Sequence, residues 1–506
     1  MHWYALVCIV LPSFSSLELL LYFLCHIFIQ VFCLFLLLLR TIKFEISGGL
    51  GIRHLQVFLL FLGMVIGYCL RVSISVAVVA MTNANSFEVF PWDSIQQSTI
   101  QSAFFWGYTI MQIPSGYIAA YWSGQKLLSV GLSLCGILQI LTPIVAHYGG
   151  YISVCVCRAG IGLCQSCLLP CVHTLLSKWA PPTERARLAT FAYAGAQFGT
   201  VICFPITAQL AVSSAGWPSI FYVFGALSIL WGAAFFIFGA DSPANFSRIS
   251  EREKRYIENS FAAEEHEKSD TGKNLLKTLS TPWKAIFTSV PMWALIIVHC
   301  GQNWGYWTLV TELPTYMNDV LHFKLSDSGL LSGLPYLVMW LLSFPVCWLA
   351  DYYLEKGVSK GLIRKSCNTM AHWGPAIALI IFASLSVDDP AIAVTFLVVA
   401  VALNAGSLCG FQINHIDLSP NFAGRMMSIT NCIASVIAII APIICSVIVS
   451  QQGNPKQLWN IVFFLSAAIY ILGNLVFIIF GSTDIQPWNN PKAQIEKENE
   501  KELTMA

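Results

Sequence analysis

The 506-residue chain is 56% hydrophobic and only 10% charged, where a soluble domain carries about a quarter of its residues charged. That balance excludes an ordinary soluble protein and implies an integral membrane protein whose surface faces lipid or other helices. A net charge of +1 argues against a nucleic-acid partner, and 17 cysteines placed almost wholly in apolar segments do not describe a secreted disulfide framework.

Residues 1–39 include LELLLYFLCHIFIQVFCLFLLLL, long enough to span a bilayer, yet Lys and Arg are absent before Arg40, while Arg40, Lys43 and Arg53 follow. A secretory signal carries its positive charges in front, so this is not one. Two readings stay open: a thirteenth helix with its start held outside, or a stretch that is not part of the working protein. Twelve further spans of about 20 residues or more are predicted at 55–80, 98–120, 127–146, 151–177, 188–211, 217–239, 291–317, 329–350, 371–387, 391–411, 425–449 and 458–481. Basic residues gather after the fourth span (Lys178, Arg185, Arg187), between 241 and 290, and after the eighth (Lys356, Lys360, Arg364, Lys365), whereas loops 82–97, 147–150, 212–216 and 388–390 hold none. Positive loops stay inside, so both ends of the twelve-helix body are expected in the cytoplasm. The expected organisation is an N-terminal segment 1–50, a six-helix bundle 51–240, a cytoplasmic linker 241–290, a second six-helix bundle 291–482 and a charged cytoplasmic tail 483–506.

The first span carries Arg71 in MVIGYCLRVSISVAVVAM, sixteen residues past Leu55, which the helical rise places roughly 24 Å into a hydrocarbon core of about 30 Å. An arginine at that depth must face a partner or a wet cavity, and snorkelling to an interface is the competing reading. Arg158 on the fourth span lies about seven residues, or roughly 10 Å, from the outer surface, close to the height of Arg71. Two guanidinium forks at one level suit a carboxylate or phosphate through bidentate, charge-assisted bonds; a cap or headgroup contact is the alternative for Arg158. Gln165, His173, Gln302, Glu312 and Asn431 are the coupling or gating candidates; a packing role is the alternative for His173, and Glu312, beside Pro314, is expected to be wet. Cys164, Cys167 and Cys171 form one helical stripe better explained by packing than by metal. GAQFG at 195–199 reads as a close helix contact, and the Asn245-Phe-Ser sequon, on the cytoplasmic side, should stay unmodified.

The halves resemble each other weakly. His173, Pro181, Arg187 and Pro205 in the first are matched by His415, Pro420, Arg425 and Pro442 in the second. Such spacing suggests a duplicated six-helix unit with its site near the midplane between the copies.

The exit of the fourth span, WAPPTERARL, closely resembles the signature of the anion:cation symporter family of the major facilitator superfamily, which includes sialin, vesicular glutamate transporters and type I sodium/phosphate cotransporters. FFWGYTIMQIPSGYIA at 104–119, TELPTYM at 311–317, LSGLPYL at 331–337 and INHIDLSPNFAG at 413–424 follow in the family's order, and residues 51 to about 488 are covered. GIRHLQVFLLFLGMVIGYCLRVSISVAVVAMT most resembles the family's insect inorganic phosphate cotransporter branch. The resemblance implies an all-α major facilitator fold of two six-helix bundles, with Arg71 and Arg158 matching arginines that bind the anion. It also implies departures: Gln165 stands where sialin and the glutamate transporters carry a proton-coupling glutamate, Ile161 replaces a second acid of sialin, and Gln302 and Gln101 replace an arginine and a histidine of the glutamate transporters. Glutamine cannot exchange a proton, so coupling by protons through that position and selectivity for glutamate are both disfavoured.

The expected function is therefore a secondary active transporter, not an enzyme, in the plasma membrane or a lysosomal or vesicular membrane. It is expected to move inorganic phosphate with sodium as coupling ion and with no cofactor or resident metal. Its partners are a small anionic substrate, a coupling cation and the lipid bilayer. An organic-anion carrier for urate, sialate or another carboxylate is the runner-up. A transporter-like sensor is a further reading, given some weight by Tyr121, where the family's loop usually has arginine.

Overall fold

The computed structural model describes residues 51–83, 88–181, 184–269, 281–385 and 389–489. Residues 1–39, most of the expected tail and the Tyr121 side chain lie outside what it describes.

Among the described residues every regular element is a helix: α1 (Ile52–Thr82), α2 (Ser94–Tyr121), α3 (Gly124–Gln165), α4 (Leu168–Trp179), α5 (Arg185–Val212), α6 (Pro218–Phe238), α7 (Glu251–Ser269), α8 (Trp283–Thr288), α9 (Val290–Asp319), α10 (Leu325–Glu355), α11 (Lys360–Ser384), α12 (Pro390–Ala402), α13 (Phe411–Leu418), α14 (Ala423–Val449) and α15 (Pro455–Phe480). Eight segments are long and apolar enough to cross a membrane, one of them the 56-residue stretch Gly124–Trp179. That stretch holds two crossings. It reverses at Gly150, whose φ of 62° suits glycine, and Cys157 Sγ then donates back to Leu138 O at 3.2 Å. The helices α2, α9 and α11 complete twelve crossings. Their apolar runs are thinned by buried polar groups such as Gln101, Gln302 and Asn368.

Three spans differ from expectation; the fourth, expected over 151–177, breaks at Ser166 and Cys167 between α3 and α4. The ninth starts at Lys360, eleven residues before its predicted limit, because Ser359 caps it and Arg364 Nε donates to Asp417 at 2.8 Å, so its first turns lie in the polar zone. The tenth is broken, running as α12, a 3-10 stretch (Leu403–Leu408) and α13.

Small residues set the helix spacing. A Cβ on Gly195 would come within 2.4 Å of Phe61 O and one on Gly199 within 2.5 Å of Val65 O, so GAQFG lets α5 lie directly on α1. In the same way, Gly107 of α2 faces Ala159 O and Gly162 of α3 faces Phe104 O, each at 1.9 Å from the Cβ it lacks. The second contact fixes the backbone at Phe104.

On the face carrying the basic loops, the first half is tied to the linker helix. Linker helix α7 supplies Glu253, whose carboxylate accepts the Ile52 and Arg53 N–H groups at 2.9 and 3.1 Å and so caps the start of α1. Arg53 also pairs with Glu184 at 2.8 Å, and that hydrogen bond holds the Glu184 carboxyl below its usual range. Contacts between the halves run from the midplane to the opposite face: Thr109 O with Cys432 Sγ, Phe198 with Trp340, Phe105 with Trp307 and Ser98 with Glu312.

Gly162→Val inserts two methyl groups and a Cβ against backbone that cannot retreat, a change expected to cost about 1–3 kcal/mol or more. Size-exclusion chromatography with a thermal ramp should show a lower melting temperature and less monodisperse protein; wild-type behaviour would mean that α2 and α3 are not held this closely.

Candidate functional site

Arg71 is 6% exposed, on a helix buried almost throughout its length. Its Nε donates to Gln165 Oε1 at 3.0 Å, and its guanidinium carbon lies 4.6 Å from the Phe104 ring, 4.7 Å from Tyr108, 4.8 Å from Tyr68 and 5.7 Å from Trp307. Three of these rings belong to the first half and Trp307 to the second, so the charge sits where the halves meet. The aromatic faces stabilise a cation by their quadrupoles, each by about 0.5–2 kcal/mol, and leave its terminal N–H groups free to donate in the ring planes' gaps.

Arg158 is 1% exposed and lies 5.4 Å from the same Phe104 ring. Its fork is turned to the α1 backbone, Nη1 to Leu70 O at 3.1 Å and Nη2 to Arg71 O at 3.2 Å, while Nε has no partner. The two arginines do share one level, but they are not two equal open forks: Arg158 grips the peptide that carries Arg71. Among the described residues no carboxylate pairs with either guanidinium. The ion pairs lie at the ends of the helices, at Arg53–Glu184, Arg53–Glu253, Arg364–Asp417 and His147–Glu88. Two buried positive charges therefore share an apolar and aromatic setting without a counter-charge, an arrangement that is expensive until an anion enters.

Gln165 is the last residue of α3, directly before the helix breaks at Ser166 and Cys167. Ser166 Oγ donates to Leu163 O at 2.8 Å, competing with the helical ladder, and the Ser166 carbonyl accepts from Ser115 of α2 at 3.1 Å. Gln165 thereby reaches both Arg71 and Gly67 O, the latter at 2.7 Å. The tenth span breaks at the corresponding place in the second half. There Gln302 Nε2 and Tyr470 OH both donate to Asn404 Oδ1, at 2.8 and 3.1 Å. Paired interruptions in matching spans of a repeat are the strongest backbone pointer to a transport site.

The other candidates scatter. Glu312 is 5% exposed rather than wet, because Ser98 of α2 and Ser446 of α14 close over it. His173 is exposed two turns beyond the α3–α4 break, 3.4 Å from Tyr193 OH, and Asn431 is half-buried on α14, where its carbonyl accepts from Ser435. Sequence reasoning missed Tyr68, Phe104, Tyr108, Trp307, Asn404 and Tyr470. Tyr68 precedes Arg71 by three residues, and Phe104 and Tyr108 share a helix face in FFWGY, so helical spacing carried a signal for the cage.

Residues 60–442 match the sequence model of the Major Facilitator Superfamily. The chain is 40% identical over 473 residues to a Drosophila melanogaster protein named "Putative inorganic phosphate cotransporter", covering 88% of each, and 34% identical to human sialin, covering 86% of this chain and 90% of sialin. Among solved structures, a bacterial homologue of the human lysosomal transporter Spinster superposes with a TM-score of 0.66 at 14% identity, over 87% of this chain and all of that one. The D-xylose–proton symporter follows at 0.64 and 13% identity, over 84% and 97%.

Ser98 and Ser446 touch across the halves, so cysteines at both positions are expected to join under mild oxidation. Peptide mass spectrometry should find the cross-link between α2 and α14 at high yield, and its absence would mean that this face is not closed.

Proposed function

Since the chain belongs to the major facilitator superfamily and is a membrane transporter rather than an enzyme, we propose that it is a sodium-coupled symporter of inorganic phosphate. On this reading the basic loops, the linker and both ends of the helical body face the cytoplasm, and the anion binds at Arg71 between the halves. The observation that carries it is the pair of buried guanidinium groups without a carboxylate partner. An entering phosphate meets the open terminal nitrogens of Arg71, and Arg158 both adds charge and holds the backbone beneath it. Gln165 supports sodium over protons, since an amide orients Arg71 without titrating. Likeness to the insect phosphate cotransporter supports the choice of anion.

A small organic carboxylate is the second reading, favoured by the cage itself: Tyr68, Tyr108 and Trp307 offer an apolar body the flat surfaces it would stack on, as would suit a relative of sialin.

In proteoliposomes, uptake of labelled phosphate should follow an imposed sodium gradient and respond little to a proton gradient; equal uptake driven by protons without sodium overturns the coupling assignment. Labelled organic anions competing better than phosphate would favour the second reading.

Arg71→Ala should abolish uptake while leaving folded protein, since losing one partner of a buried charged contact costs about 2–5 kcal/mol, or roughly thirtyfold or more in affinity. Arg71→Lys keeps the charge without the fork and should retain little activity. Gln165→Glu supplies Arg71 with an internal carboxylate and should weaken phosphate uptake about tenfold or more by competing for the same donor. Near-normal phosphate affinity in Arg71→Ala would move the site elsewhere.

A further inference from the structure

The closed face of the interface holds a second polar centre that the anion site does not use. Glu312 lies five residues from Trp307 along α9, about 8 Å nearer the outer face by the helical rise. Ser98 Oγ donates to its Oε1 at 3.2 Å, Ser446 Oγ donates to Ser94 O at 2.9 Å, and the Ser98 and Ser446 hydroxyls touch each other. With Glu312 ionised, these three contacts share two hydroxyl protons, so two oxygens face one another with no hydrogen between them.

Two further oxygens are short of a partner at the same place. Gln101 Oε1 and Thr315 Oγ1 are buried and accept or donate no hydrogen bond among the described residues; Gln101 is 2% exposed. Both residues line a cavity of about 20 Å³ together with Ser98, Glu312, Asp319 and Ser446, enough for one water-sized body. That cavity shares Gln97, Thr315 and Asp319 with an outer vestibule of about 520 Å³ that, among the described residues, is lined by no lysine or arginine. Asp319 and Cys445 are the other titratable groups beside Glu312, from α9 and α14.

We propose that this cavity binds the sodium ion, held by the Glu312 carboxylate, the hydroxyls of Ser98, Ser446 and Thr315, and the Gln101 amide oxygen. Carboxylate, hydroxyl and amide oxygens suit a hard cation. A proton on Glu312 would complete the chain through Ser98 and Ser446 to Ser94 O yet leave Gln101 Oε1 and Thr315 Oγ1 without partners, whereas a cation satisfies the carboxylate, the facing hydroxyls and both orphaned oxygens at once. The ligands come from α2 in the first half and α9 and α14 in the second, so the site is complete when the outer face is shut. Shutting it without a cation either buries a bare carboxylate or forces a proton onto it, and the proton still leaves Gln101 Oε1 and Thr315 Oγ1 unserved. Sodium is thereby the condition for closing the outer gate. The coupling role rests on the symport reading above; sodium binding itself does not.

The test uses the purified full chain in detergent without phosphate, titrated with NaCl against choline chloride at constant ionic strength, reading thermal unfolding and bound ²²Na⁺. Wild type should show a saturable, sodium-specific rise in melting temperature and bind the isotope. Glu312→Gln should lose both while melting as wild type does in choline, and Thr315→Val and Gln101→Leu should each weaken sodium about tenfold or more. Should Glu312→Gln fail to fold, these two variants decide. Absence of a sodium-specific shift in wild type, unchanged sodium affinity in the variants, or a shift reproduced by acid alone would each overturn the assignment. Sodium binding that persists while phosphate is not transported would instead count against the proposed substrate and leave this site standing.

Discussion

Everything at the centre of this molecule follows from burying two guanidinium groups with no carboxylate beside them among the described residues. A lone charge in a bilayer-spanning bundle survives when its donors are used or its field is softened, and the two arginines divide these remedies. Arg158 donates its fork to the carbonyls of Leu70 and Arg71, while Arg71 gives one N–H to Gln165 and rests among four aromatic rings. The surrounding architecture serves that arrangement. Glycine contacts draw α2 onto α3 so that Phe104 lies under both charges, and the break after Gln165 frees its amide to reach across to α1.

Much of the fold was legible because bilayer physics leaves few choices: length and hydropathy mark twelve crossings. Errors came where polarity and span overlap. Sequence makes the ninth span too short because Lys360, Arg364 and Lys365 read as loop, although a helix entering the interfacial zone carries such residues if they are paired, as Arg364 is with Asp417. The break in the tenth span has no proline to mark it; Gly406 and Gly410 lie there against Cys367 O and Asn368, and Asn404 within it accepts from Gln302 and Tyr470.

The candidate site was half legible. Depth singled out Arg71 and Arg158, since charge in an apolar run is conspicuous at any window length. Depth says nothing about direction, and the turning of the Arg158 fork toward backbone depends on the close approach of α3 to α1, which no spacing rule encodes. Glu312 was misjudged for a related reason: nearness to a helix end suggested water, whereas the residues that exclude it, Ser98 and Ser446, come from helices more than a hundred positions away in either direction.

On the proposed reading the two centres answer one another through charge. The midplane holds positive charge in want of an anion, and the outer seal holds a carboxylate in want of a cation. A carrier loaded with both has each buried charge compensated and can occlude; a carrier loaded with one leaves the other bare, at a cost of several kcal/mol for an uncompensated ion in a low-dielectric interior. Trp307 touches the arginine cage and lies five residues from Glu312 on the same helix. One rigid element thus carries both demands, and strict pairing of anion with cation needs no further device than the refusal of either half to close on an unpaired charge.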